Sequence, residues 1–173
     1  MSNQLISALE IPLNHDLFLV NLLRELSGTL EDTVGVEDAS GFISIVGQNI
    51  GDWINGEYRR GFGVEQLDLD QMASTLVDLK RRIGGDFYVI SVDREKIVLG
   101  NRRCPFGDKV IDRSSLCMMT SNVFGTIAAE NLGYAKVTLE ETIAAGDDGC
   151  VVVIHLARNG SSESVDGREY YKS

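Results

Sequence analysis

Residues 86–99, DFYVISVDREKIVL, set the reading of this chain. Two runs rich in β-branched and aromatic residues, 86–92 and 96–99, flank the polar triplet Asp93-Arg94-Glu95. That pattern predicts a β-hairpin. Upstream of it the apolar period is helical. In residues 16–30, Leu19, Leu22, Leu23, Leu26 and Leu30 recur at helical spacing, and Asn14 is placed to cap them. A second helix is predicted from Ala39 to about Tyr58, capped by Asp38, with Phe42, Ile45, Val46, Ile50 and Trp53 as its stripe. A third covers residues 68–83. Met72, Leu76, Leu79 and Ile83 line one face, Asp68 and Gln71 have the spacing of a capping box, and Gly84-Gly85 ends the helix.

Downstream, a fourth helix is predicted from Ser114 or Ser115 to Gly133, with Met119, Val123, Ile127 and Leu132 turned inward. Residues 136–143 and 150–156 read as a second strand pair. The order implies an α+β fold: three N-terminal helices, then a small antiparallel sheet of two hairpin-like strand pairs with an intervening helix. Residues 1–157 are expected to form a single domain. The polar, unpatterned residues 158–173 read as a flexible tail.

The chain has 173 residues, 43% of them hydrophobic, enough for one sizeable core. Its net charge of −10 argues against a general nucleic-acid binder, which needs clustered Lys and Arg, and against anionic membrane surfaces. No apolar run approaches the length of a bilayer span, and the first residues, MSNQLISALEIP, do not read as a secretory signal. A cytoplasmic location is expected, with an odd number of cysteines kept reduced.

Those cysteines, Cys104, Cys117 and Cys150, are the one cluster able to carry chemistry. Cys104 and Cys117 bracket the run CPFGDKVIDRSSLC. Cys117 falls in the first turn of the predicted fourth helix, where free amide groups favour a thiolate. Arg102, Arg103, Lys109 and Arg113 add positive charge nearby. Both features lower a thiol pKa. Three readings stay open. The thiols hold zinc or an iron–sulfur cluster, they form a redox switch, or they are packed structural groups. Their spacing is not that of a zinc finger. Phe106, Met118, Met119 and Phe124 stand near them in sequence and suit an adaptable apolar pocket, or a plain core. His155 reads as a buried strand histidine rather than a ligand. Gly47 and Gly51, four apart, allow close helix approach within the fold or across a dimer. No phosphate loop, dinucleotide fingerprint or nucleophile elbow is present.

From about Gly84 to Leu156 the chain resembles a known family. The carrying features are CPFG at 104–107, Leu116-Cys117, the following helix, then LGYAKVTLEETIAAGDDGC at 132–150 leading to VVVIHL. The pattern resembles the methanogen output domain. It is similar as well to the C-terminal part of ArsR- and SufR-type regulators, and more distantly to 4-vinyl-reductase-like sensors. The SufR-type pattern has a further cysteine where this chain has Asn131-Leu132. The resemblance implies a small α+β domain, often dimeric, that reports a ligand, metal or iron–sulfur state to a histidine kinase, cyclase or transcriptional regulator. It implies Cys104, Cys117 and Cys150 as the transferable positions. The first half shows no winged helix or basic recognition helix, so no DNA binding is carried over. The expected function is a cytosolic, homodimeric sensor or output domain. The competing readings are a thiol enzyme with Cys117 as nucleophile and a structural interaction module.

Overall fold

A computed structural model describes residue 10 and residues 12–173. Helix α1, His15–Val34, starts where the Asn14 side chain accepts a hydrogen bond from the Leu17 amide at 2.8 Å. Gly35 alone separates it from α2, Val36–Phe62, and holds φ at 84°, a value that side chains disfavour. That glycine moves the start of α2 three residues ahead of the expected Ala39 and leaves Asp38 in its first turn. Helix α3, Leu69–Arg82, has the full capping box, with the Gln71 amide donating to Asp68 and the Asp68 amide donating to the Gln71 side chain.

The hairpin then forms as the sequence indicates. Strand β1, Phe87–Val92, pairs antiparallel with β2, Lys96–Asn101. Asp93 closes the turn by accepting from the amides of Glu95 and Lys96. A loop leads into α4, Ser114–Leu132, followed by β3, Tyr134–Glu141, and β4, Cys150–His155. Pairing of β2 with β4 fuses the two hairpins into one antiparallel sheet. Residues 158–173 depart from the expected loose tail. They contain a short helical turn, α5, Gly160–Glu163, and a fifth strand, β5, Arg168–Tyr171, which pairs with β3. The sheet order is β1-β2-β4-β3-β5. Tertiary packing makes that last strand. The Tyr170 ring lies over Gly125, where any Cβ would sit 2.1 Å from it, and its hydroxyl reaches Asn122 at 2.9 Å and Ser121 at 3.0 Å.

Helix α4 runs through the centre of the molecule. The sheet covers one side, α2 the other, and α3 packs beside it. Its residues 121–129 are all buried, consistent with a sequence that is apolar or small all round. Val123, Phe124 and Ile127 meet Phe87, Ile97, Leu99, Val137, Val152 and Ile154 of the sheet, and Met72, Leu76 and Leu79 of α3. Gly47 and Gly51 let α2 approach α4 closely. A Cβ at Gly47 would lie 2.4 Å from the Asn122 Cβ.

The first two helices lie on the body in a different rotation from the one their apolar periodicity suggests. Helix α2 buries Ala39, Ile43, Gly47, Gly51 and Asn55, while Phe42, Ile45, Val46, Ile50 and Trp53 are exposed. Ile83 is exposed too, and Lys80 takes the inward place at the end of α3. No helix among the described residues is long and apolar enough to cross a membrane.

Candidate functional site

Three distant segments bring the thiols to one place. Cys104 lies in the loop after β2, Cys117 is on the first turn of α4, and Cys150 opens β4 opposite Asn101 at the end of β2. All three are free, half-buried, and line one cavity of about 30 Å³. Apolar side chains, including Phe87, Phe106, Val110, Leu116, Leu139 and Val152, form most of its wall. Asn101, Thr120 and Thr142 add polar groups. Asn101 Nδ2 and the Ile143 amide each donate to Cys150 Sγ, at 3.6 and 3.5 Å. A cavity this size holds about one water molecule. It shares Cys117, Leu139 and Thr142 with an open recess of about 460 Å³, completed by Asp112, Met118, Ala144 and Ala145.

The electrostatics reverse the expectation of activated thiols. Burial pushes the Cys117 thiol up to about 12, and the neighbouring cysteines add to the rise. Burial raises Cys104 as well, against the opposing pull of the Phe106 amide and the Lys80 charge. Desolvation outweighs the first-turn amides because the sulfurs sit among apolar side chains. Cys117 is therefore a protonated thiol at neutral pH, the opposite of what a nucleophile requires.

Lys80 is the residue that sequence reading missed. It is 4% exposed, and its Nζ donates to Thr120 Oγ1 at 2.7 Å beneath the thiols. The ammonium lies 5.5 Å and 5.1 Å from the ring centres of Phe87 and Phe124. Burial lowers its pKa to about 8, and all three cysteines oppose that shift. Its signal was in the sequence: Lys80 stands four and eight residues after Leu76 and Met72, on the same face.

The expected ligand residues divide. Phe106 lines the thiol cavity and Met118 the recess. Phe124 is fully buried in the main core, edge-to-face with Phe87 at 5.6 Å, and Met119 lines neither space. His155 is buried on β4 as expected, its pKa lowered by burial and by Lys96 and Lys136, both its strand neighbours. The zinc or iron–sulfur reading finds no fit. Among the described residues no three His, Cys, Asp or Glu side chains are grouped to hold one ion, and the thiols share their niche with a cation.

The loop that carries Cys104 is tied to α1. Arg24 Nη1 donates to the Lys109 carbonyl and, at 2.9 Å, to the Ile111 carbonyl. Arg113 lies against Gly28 and pairs with Glu31 at 3.8 Å. Asp112, at φ 57°, turns the chain between these contacts, and its amide donates to the Ala144 carbonyl at the recess.

A helix-backed antiparallel sheet with a small apolar cavity under its connecting loop defines the α+β class of this domain. The chain belongs to the family methanogen output domain 1, whose profile matches residues 22–155. Among solved structures, its fold is similar to the phenol-responsive sensory domain of the transcription activator PoxR, crystallised with phenol. That match has a TM-score of 0.62 and 16% identity, over 84% of this chain and 76% of that one. A second likeness is to trafficking protein particle complex subunit 3 from Naegleria fowleri, covalently bound to palmitic acid. There the TM-score is 0.56 and the identity 13%, over 90% of this chain and 99% of that one. No curated protein matches the sequence.

Proposed function

We propose that this protein is the sensory module of a cytoplasmic signalling system, and that a small apolar molecule is its input. The thiol cavity and its recess form the receiving site. One observation carries the reading: segments far apart in sequence place three free thiols around an apolar cavity that shares Cys117, Leu139 and Thr142 with an adjoining recess of ligand size. Membership of an output-domain family and a fold shared with a phenol-responsive domain support the sensory role. A ligand larger than water enters the inner cavity only by displacing the wall at Leu139 or the loop above it. That displacement is the signal, and it passes to a histidine kinase, cyclase or regulator partner.

The test uses phenol, simple alkylphenols and C4–C16 fatty acids as probes, with thermal melting and N-ethylmaleimide labelling of each cysteine read by mass spectrometry. At least one probe class raises the melting temperature and slows Cys117 labelling tenfold, and Leu139→Trp abolishes both effects. Failure of every probe at millimolar concentration to do either overturns the proposal.

A further inference from the structure

We infer that α1 and α2 form the contact surface for a second copy of this chain. Helix α1 is mounted with its apolar side outward. Arg24, Gly28 and Glu31 face the body, where they meet the loop carbonyls and Arg113. At 3.6 residues per turn, Leu19, Leu22, Leu23 and Leu26 lie on the opposite side. Soluble amphipathic helices turn that stripe toward a core. Here no core among the described residues covers it. Helix α2 repeats the pattern, because glycines and small residues occupy its packed side and Phe42, Ile45, Val46, Ile50 and Trp53 its free side.

The exposed area decides the occupant. Phe18, Leu19, Leu22, Leu23 and Leu26 with the five from α2 make ten large apolar side chains, each 37–61% exposed. At roughly 150–250 Å² for a large side chain, they offer on the order of 1,000 Å². The largest apolar patch on an ordinary monomer is about 300–600 Å², and a stable dimer buries about 800 Å² per partner. One incoming helix presents one stripe and leaves the other wet. A second copy brings two stripes of the same composition, and an isologous contact covers all four together. Charge points the same way. The ten stripe residues are themselves neutral, so they add no repulsion between two copies of a chain of net charge −10.

This inference is independent of the ligand reading and is tested without any ligand. Sedimentation velocity of the full chain from 0.1 to 100 µM is the measurement. The expected species has twice the 19.0 kDa chain mass. Leu22→Glu with Leu26→Glu, and separately Trp53→Glu, weaken association at least a hundredfold. The control Ile90→Glu, at an exposed site on β1, leaves it unchanged. Circular dichroism confirms that each variant is folded, which the exposed positions favour. Emission from Trp53, the single tryptophan, shifts to the red on dilution of the wild type. A wild type that stays monomeric at 100 µM, or a dimer that survives both helix variants, overturns the inference. So does a monomer that binds phosphatidylcholine vesicles through the same residues, because the face then belongs to lipid.

Discussion

Lys80→Met is expected to make the protein more stable at pH 7. The wild-type ammonium is buried, and its pKa falls from an ordinary 10.5 to about 8. At about 1.4 kcal/mol per pH unit, keeping that charge inside costs roughly 3 kcal/mol. Methionine has a similar unbranched length and carries no charge. It gives up the 2.7 Å hydrogen bond to Thr120, a loss of about 1 kcal/mol, and the contacts with two rings. The net gain is about 1–2 kcal/mol, or about 2–4 °C per kcal/mol in melting temperature. The pH dependence gives a second signature. With the folded pKa depressed, the unfolded chain keeps its proton longer, so wild-type stability rises as pH climbs through 8 toward 10.5. Cys117 acts the other way. Its thiol is raised from 9.0 to about 12, so the unfolded chain ionises first and stability falls above pH 9. The lysine effect is therefore cleanest between pH 7 and 9. Urea denaturation at both values, followed by circular dichroism, reads it. A Lys80→Met protein that loses more than about 1 kcal/mol at pH 7, or keeps the wild-type slope between pH 7 and 9, refutes the reasoning.

Other consequences are as direct. Gly47→Val forces α2 away from Asn122 and is expected to cost at least about 2 kcal/mol in a chemical melt. Asn131→Ala breaks a fully buried junction in which the side chain donates to Asn55 and the Ile127 carbonyl and accepts from the Leu67 amide and Arg59. The expected loss is about 3 kcal/mol by the same assay. Iodoacetamide at pH 8 labels Cys117 far more slowly in the folded protein than in urea, because a rise from 9.0 to about 12 cuts the thiolate fraction by about a thousandfold. Comparable rates in the two states would show that the thiol is not desolvated.

Local chemistry made part of this fold legible in sequence. The Asp68–Gln71 box, the Asn14 cap and the Asp93 turn are short-range devices whose partners lie within a few residues, and each is in place. The elements that carry the cysteines, a loop, a helix start and a strand start, were legible as well. What periodicity leaves open is the side of a helix that meets the body. In α2, glycines rather than leucines mark the packed side, because close approach to α4 is worth more there than side-chain volume. Lys80 escaped notice because a charged residue on an apolar face reads as a boundary. Strand β5 escaped because its support comes from Tyr170 reaching α4, a contact some fifty residues away in sequence. The upward shifts of Cys104 and Cys117 come from the apolar wall around those two sulfurs, which only the assembled cavity reveals.

The Arg24 contacts have a mechanical result. A guanidinium bound to two carbonyls of the segment above the cavity acts as a strut between that segment and α1. Lifting the segment therefore must either drag the helix with it or strip two hydrogen bonds from a charged group. Events at the sulfur-lined hollow and events on the leucine-bearing side of α1 share one lever, and shortening it with Arg24→Ala would leave each free to move without the other.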